Sequence, residues 1–191
     1  MRRWISQRES AAKPTTYISV KELQGAQTLV TAINTDILRA AGFSRCARYR
    51  YWLSRTWDTS GERCLFIGLN PSTADAEADD PTIRRIMGFA RDWGYGGVIV
   101  ANLFAWRATD PEDLKRATDP IGPRNNYWLR RLPSKSDEVI AAWGNDGRFQ
   151  QRQRYVLARI PRLKCLGITA RGCPRHPLYV RARTVSVPLD C

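Results

Sequence analysis

The chain has 191 residues, 43% of them hydrophobic and 10% aromatic, a composition that suits one globular domain and excludes wholesale disorder. Lysine and arginine number 31 against 18 aspartates and glutamates, and the resulting net charge of +13 favours a nucleic-acid partner, although a basic surface also serves solubility or attracts anionic membranes. No run approaches the roughly 20 apolar residues of a membrane-spanning helix, and the first residues lack the features of a secretory signal. We therefore expect a cytoplasmic protein that does not enter a membrane.

The cysteines and the single histidine do not form a recognisable ligand pattern. Five cysteines occur without a Cys-x-x-Cys pair, and His176 is the only histidine in the sequence. An odd number of scattered cysteines in a chain of this kind argues against a disulfide framework and against a metal centre. We expect no metal and no other cofactor.

Residues 1–43 are predicted to form an N-terminal helical extension. Apolar residues recur at helical spacing over residues 19–41, and Gly42 ends the pattern. The sequence thus predicts two parts, the extension over residues 1–43 and a second domain over residues 44–191.

From residue 44 onward, strand-like and helix-like segments alternate. An amphipathic strand over 49–53 is followed by short apolar runs typical of buried strands, over 64–69, 98–104, 139–143 and 163–168. Helices are predicted from Pro81, from Pro123 and over 146–160, with Asp80 capping the first. This alternation predicts an α/β fold, a three-layer α/β/α sandwich with a central, mainly parallel sheet.

Polar residues follow each of the four predicted buried strands. The segments are Gly68-Leu69-Asn70-Pro71-Ser72, Asn102 with Phe104 and Arg107 after it, Trp143-Gly144-Asn145, and Arg175-His176-Pro177-Leu178-Tyr179. Ligands of open α/β sheets bind beyond the carboxyl ends of the parallel strands. The sequence therefore predicts one binding site at this edge of the sheet.

These segments resemble the uracil-DNA-glycosylase-like superfamily and, more closely, DUF1643, a family of unknown function in bacteria and phages. Residues 68–72 are similar to the first superfamily motif, in the Gly-x-Asn-Pro-Gly form of its mismatch-specific branch. Residues 176–178 resemble the second motif, His-Pro-Ser, and Asn102 occupies the position of the asparagine that reads the flipped base. The resemblance covers roughly residues 45–183 and implies a uracil-DNA-glycosylase-like fold.

The resemblance implies that Asn70 and His176 are catalytic in a DNA glycosylase. Cleavage of a glycosidic bond leaves negative charge on the departing base, to which His176 could donate, while the amide oxygen of Asn70 could orient a water. No motif contains a lysine for a Schiff base, so the enzyme would be monofunctional. The expected base-binding residues are Gly68, Leu69, Pro71, Ser72, Asn102, Phe104 and Asn145.

Ser72 bears on the substrate. The uracil-specific enzymes carry a tyrosine at this position, which blocks substituents at C5 of the pyrimidine, whereas a serine leaves that space open. The resemblance therefore implies a pyrimidine with a C5 group, such as an oxidised, hydroxymethylated or glycosylated cytosine. Bulky bases of this kind occur in phage genomes, so a role in antiviral defence is an extension of the same argument.

Arginines surround the second motif, as a DNA contact requires. No acidic residue occurs between Gly147 and Leu189, and Arg175, Arg181 and Arg183 flank His176 in sequence. We expect these arginines and Arg107 to contact DNA phosphates. Leu178 or Tyr179 would enter the duplex as a wedge during base flipping.

Two other function classes fit parts of the sequence. Leu178 replaces the serine of the superfamily motif, and an acidic cluster follows the first motif, at Asp75, Glu77, Asp79 and Asp80. This cluster could lie away from the site, cap a helix or supply a catalytic carboxylate. A metal-dependent nuclease or phosphohydrolase is therefore one alternative, and a non-catalytic module that binds modified DNA is another. The sequence leaves the base, the strand preference and the oligomeric state open.

Overall fold

The computed structural model describes residues 17–23, 26–32, 37–72, 74 and 77–189. Within that part, strands β1 to β9 are Tyr17–Leu23, Ala26–Ala32, Leu38–Ser44, Arg50–Thr56, Arg63–Gly68, Gly97–Asn102, Glu138–Ala141, Leu163–Cys165 and Val187–Pro188. Helices α1 to α4 are Pro81–Asp92, Pro111–Arg116, Asn125–Arg131 and Arg152–Leu157. The predicted α/β class is confirmed.

The strands form one mixed sheet, in the order β1-β2-β3-β4-β6-β5-β7-β8-β9. Strands β6, β5, β7 and β8 are parallel to one another, while the five remaining pairings are antiparallel. The prediction of a mainly parallel sheet is therefore wrong for the sheet as a whole. Alternation of strands and helices, which produces parallel pairing, holds only from β5 to β8.

The predicted N-terminal helices are also wrong, because residues 17–23, 26–32 and 38–44 are antiparallel strands. The first two segments contain β-branched residues, which fit a pleated strand better than a helix, and the third is held in the sheet by pairing with strands on both sides. Residues 1–16, 24, 25 and 33–36 of the predicted extension lie outside the described residues. Strand β3 crosses the boundary predicted after residue 43, and the division of the chain at that point stays a prediction.

Helices cover both faces of the sheet. Helix α1 buries Ile83, Ile86 and Phe89 against one face, together with Phe66 of β5. Residues of α2, α3 and α4 pack in a second core, which includes Leu65 on the opposite face of the same strand. Because side chains alternate along a strand, β5 serves both cores, as expected of a strand buried on both sides.

Helix α1 begins as its sequence predicts. The carboxylate of Asp80 accepts a hydrogen bond from the backbone N–H of Ile83 at 2.8 Å, and Pro81 occupies the first turn. The helix predicted over 146–160 is shorter, because Gln150 and Gln151, at the end of the 3-10 segment Asn145–Gln151, have positive φ angles and α4 begins only at Arg152.

Among the described residues, the helices are too short and too polar to cross a bilayer.

Candidate functional site

A cavity of about 810 Å³ opens beside the carboxyl ends of β5, β6, β7 and β8. Segments that follow these four parallel strands meet there because the strands point in the same direction. The structure brings ten of the predicted site residues to the wall of the cavity: Gly68, Leu69, Asn70, Ser72, Asn102, Asn145, Arg175, His176, Leu178 and Tyr179.

Two predicted base-binding residues lie in the protein interior. Pro71 is buried, and its carbonyl oxygen accepts a hydrogen bond from the backbone N–H of Ala108 at 3.0 Å. Phe104 is fully buried and packs against Phe149, with 5.4 Å between the ring centroids. Both therefore support the wall of the cavity from behind.

The predicted DNA-contacting arginines occupy different surroundings. Arg107 places its guanidinium 5.3 Å from the ring centre of Phe43 and donates to the carbonyl oxygen of Ala47 at 3.2 Å. Arg181 and Arg183 are exposed, on the segment that follows His176. These two side chains lie beyond the residues that line the cavity.

The orientation of Asn70 is fixed by two backbone carbonyl groups. Its Nδ2 donates to the oxygen of Ala108 at 2.7 Å and to the oxygen of Pro71 at 3.1 Å. Because both partners are acceptors, the nitrogen must face them, and Oδ1 is left as the acceptor of this amide. Asn70 therefore offers the cavity a hydrogen-bond acceptor of fixed direction.

Asn102 is buried at the cavity with an unused donor. The residue is only 4% exposed, and its Nδ2 has no hydrogen-bond partner among the described residues. Leaving a buried donor unsatisfied costs about 1–3 kcal/mol. Such a cost is expected at a binding site, where an acceptor on the ligand satisfies the donor when the ligand binds.

Gly68 makes room for Asn102. The two residues are register partners in β5 and β6, and a Cβ atom at Gly68 would lie 2.8 Å from Oδ1 of Asn102. Any larger residue would displace the amide. Glycine is therefore needed in the first motif to leave space for the side chain of Asn102 on the neighbouring strand.

His176 is half-buried and caps the 3-10 turn Pro177–Tyr179. Its Nδ1 accepts a hydrogen bond from the backbone N–H of Leu178 at 3.4 Å, so the neutral ring carries its proton on Nε2. Burial lowers the pKa of His176, and the carboxylate of Asp80 opposes that shift only in part. The ring is therefore a neutral donor at neutral pH.

Several lining residues with polar groups were not predicted from the sequence, and Arg50 and Thr169 are two of them. Arg50 is only 2% exposed, yet it lines the cavity and donates to the carbonyl oxygen of Ala74. Thr169 also lines it, and its hydroxyl bonds Oδ1 of Asn145 at 2.7 Å. Arg50 could have been noticed as a charged residue inside the predicted strand over 49–53. Nothing in the sequence around Thr169 indicates a place in the site.

The acidic cluster is largely occupied by structural contacts. Asp79 holds Arg39 through one carboxylate oxygen at 2.9 Å and Arg55 through the other at 2.7 Å. Asp80 caps α1, Glu77 is exposed, and Asp75 lies outside the described residues. In the part of the chain that the structure describes, no three histidine, cysteine or carboxylate side chains group as metal ligands.

We expect Asp79→Asn to destabilise the fold by about 3–5 kcal/mol, because it removes the carboxylate from a buried ion pair. Arg55 is fully buried and Asp79 is 11% exposed at the side chain. Urea unfolding measures the change. The matched control is Asp113→Asn, which breaks an exposed pair with Arg116 and should leave the midpoint almost unchanged. Equal midpoints for both variants would contradict this role of Asp79.

Comparison with known proteins identifies the family. No curated protein and no solved structure matches the chain. Residues 50–178 match the family described as "Protein of unknown function (DUF1643)". The matched span covers more than half of the chain and runs from Arg50 to Leu178, so it includes most of the cavity wall. The chain therefore belongs to the DUF1643 family.

Proposed function

We propose that this protein is a monofunctional DNA glycosylase, which removes a C5-substituted pyrimidine and leaves an abasic site. The observation that carries the proposal is the buried Nδ2 of Asn102, a donor without a partner among the described residues, at the wall of a large cavity. Asn70 and His176 line the same cavity with a fixed acceptor and a neutral donor. Base recognition and leaving-group stabilisation need these three groups together.

The resemblance to the uracil-DNA-glycosylase-like superfamily supports this function. Its two motifs and the base-reading asparagine occur in the expected order, and each follows a strand of the parallel part of the sheet. Helices pack on both faces of that sheet, in keeping with a three-layer α/β/α sandwich. The superfamily assignment is part of the proposal.

In the proposed complex, the target base leaves the duplex and enters the cavity. The Nδ2 of Asn102 donates to an acceptor on the edge of the pyrimidine, which is N3 in cytosine or O4 in uracil. Extruding a base from the stack costs a few kcal/mol, which is least for a damaged or mismatched base. The hydrogen bond that the base makes with the buried Nδ2 of Asn102 offsets part of that cost.

Cleavage then breaks the bond between C1′ of the sugar and the base nitrogen. The bonding electron pair leaves with the base, and the Nε2–H of His176 donates to the base oxygen on which negative charge develops. A water held by Oδ1 of Asn70 adds its oxygen to C1′, and the base takes up the proton that the water releases. An amide is a poor base, so catalysis depends mainly on stabilising the leaving group.

Ser72 and the size of the cavity support a substrate with a C5 substituent. Ser72 lines the cavity with a small side chain. At about 810 Å³, the cavity lies in the upper part of the range for pockets that hold drug-sized ligands, and such ligands exceed a single base. Hypermodified cytosines of phage DNA are the proposed substrates, which would give a cytoplasmic enzyme a role in antiviral defence.

The proposed partner is DNA, and exposed residues at the cavity and on the segment that follows His176 support it. Arg175, Arg181 and Arg183 are exposed, on a chain of net charge +13. Leu178 is 44% and Tyr179 80% exposed beside them. Apolar side chains of this kind fill the gap left by an extruded base, while arginines hold the phosphates. DNA affinity should then fall steeply as the salt concentration rises.

The function is tested on duplexes that contain uracil, 5-hydroxymethylcytosine, glucosylated 5-hydroxymethylcytosine or only unmodified bases. The protein is incubated with each duplex in the presence of EDTA, and strand breaks are measured before and after treatment with alkali. A glycosylase leaves an intact backbone that breaks only in alkali, and we expect this result with a C5-substituted duplex.

The other function classes give different results in the same assay. A metal-dependent nuclease built on the acidic cluster would break no strands in EDTA, and would break them without alkali when Mg²⁺ replaces EDTA. A binding module would retain modified DNA in a salt-sensitive complex without forming alkali-labile sites. Either result would contradict the glycosylase.

A further inference from the structure

The cavity extends well beyond the reach of a pyrimidine bound at Asn102. Asn102 ends β6, and the wall continues past β5 and β7 to the residues that follow β8. Neighbouring strands lie about 4.8 Å apart, so the ends of β6 and β8 are separated by about 14 Å. A base held between Asn102 and His176 therefore leaves the side of the wall formed by Asn145, Asp146 and Thr169 open to another part of the ligand.

A fixed hydrogen-bond donor lies at that open side. The hydroxyl of Thr169 accepts the backbone N–H of Cys173 at 3.2 Å and bonds Oδ1 of Asn145 at 2.7 Å. Because amide oxygens only accept, the Thr169 proton points to Asn145. The Nδ2 of Asn145 thus keeps its two N–H groups on the other side of the amide.

Groups of both signs accompany this amide. Arg175 lines the cavity, and its Nε donates to the carbonyl oxygen of Ile168 at 3.1 Å, which fixes the guanidinium near the end of β8. Asp146 lines the cavity directly after Asn145 and is an acceptor when ionised. A phosphate would be repelled by Asp146, whereas hydroxyl groups both donate to a carboxylate and accept from an amide or a guanidinium.

We infer that Asn145, Asp146, Thr169 and Arg175 form a second subsite, which binds a polyhydroxylated substituent carried by the base. Asn145, Asp146 and Arg175 contact the substituent, and Thr169 is a positioning residue for Asn145. The ligand class is a hexose attached to the pyrimidine through its C5 group. This inference rests on the proposed function, since it takes the base to be bound at Asn102.

Calorimetric titration with free deoxynucleosides tests the subsite without DNA. The probes are 5-hydroxymethyldeoxycytidine and its glucosylated form, which differ only in the hexose. We expect the wild-type protein to bind the glucosylated nucleoside about tenfold more tightly than 5-hydroxymethyldeoxycytidine. A tenfold difference corresponds to about one good hydrogen bond. Equal affinities, or no detectable binding of the glucosylated nucleoside, would overturn the inference.

Variants test which residues cause the tighter binding of the glucosylated nucleoside. Asn145→Ala and Thr169→Val should remove the preference for the hexose, whereas Thr169→Ser keeps the hydroxyl and should retain it. Thr118→Val is the matched control, because Thr118 is exposed and does not line the cavity. A hexose preference that survives in Asn145→Ala would also overturn the assignment.

Base release from the corresponding duplexes, measured in parallel, separates the two proposals. A hexose preference in binding without any base release would refute the glycosylase and leave the subsite standing. Base release from all modified duplexes at one rate, with equal nucleoside affinities, would leave the glycosylase standing and refute the subsite.

Discussion

The His176→Asn variant should release the base about 100- to 1000-fold more slowly than the wild-type protein, the usual cost of removing one donor to a developing anion. Asparagine can still cap the turn at Pro177, since its side-chain oxygen accepts from a backbone N–H as Nδ1 of His176 does. Its amide is shorter than the imidazole and does not reach the base oxygen. Single-turnover excision of a modified base measures the rate.

Binding distinguishes loss of chemistry from loss of structure in this variant. DNA affinity should stay close to that of the wild-type protein, because His176 acts after the base is bound. An excision rate equal to that of the wild-type protein would exclude His176 from catalysis. A matching fall in affinity and rate would make it a binding residue.

The pH dependence of stability provides an independent readout of His176. Burial lowers its pKa in the folded protein, so the unfolded chain binds the proton more readily. Stability should therefore be complete above the unfolded pKa of about 6.5 and fall as the pH drops below it, until the folded pKa is reached. His176→Asn should remove that fall, since the sequence has no other histidine. Urea midpoints between pH 8 and pH 5 measure it.

Asn102→Leu should abolish excision while leaving the fold intact. Leucine has nearly the shape of asparagine but no polar atoms, so the buried Nδ2 without a partner disappears. A site built to hydrogen-bond a polar group of its substrate discriminates by about 10⁴- to 10⁵-fold when that bond is lost. The free energy of unfolding should stay the same or rise, because an unsatisfied buried donor is removed.

The paired measurement of excision and stability decides the role of Asn102. If Asn102→Leu loses excision while its urea midpoint stays unchanged, the amide of Asn102 serves ligand binding. Retained excision with a lowered midpoint would mean that Asn102 serves the fold alone. Asn126→Leu is a matched control for a structural amide, because Oδ1 of Asn126 accepts a hydrogen bond from the guanidinium of the buried Arg152. That variant should lose stability.

The parallel part of the fold could be predicted from the sequence because its signals are local. Strands β5 and β6 are short continuous apolar runs, and Asp80-Pro81 carries both signals of a helix start. Polar residues directly after each run then indicated the carboxyl edge of the sheet. These features depend on neighbouring residues alone, so no tertiary contact was needed to find them.

The N-terminal strands could not be separated from helices by periodicity. Apolar residues over 19–41 match helical spacing, but β-branched residues such as Val20 and Val30 favour strands, and a Gln24-Gly25 step lies between the two runs. Pairing with the rest of the sheet decides the outcome, since β3 and β4 are joined in one register from Leu38 to Gly42. Such long-range pairing has no local signal.

The candidate site was predicted at the level of segments, and the finer arrangement depends on contacts between distant residues. Phe104 and Asn102 are two positions apart, yet one packs in the core and the other lines the cavity. Asp79 could have been a catalytic carboxylate until the structure paired it with Arg39 and Arg55. The sequence shows the charges but not which charges meet.

Mass spectrometry of the small molecules released from glucosylated 5-hydroxymethylcytosine DNA tests the central proposal most directly, because it identifies the bond that breaks. We expect the free pyrimidine with its hexose still attached, together with an equal amount of abasic sites. Release of nucleotides would mean that the phosphodiester is cut, and release of glucose alone would mean that the hexose is removed from the base. Either of these products, or the absence of any product, would contradict a DNA glycosylase that removes C5-substituted pyrimidines.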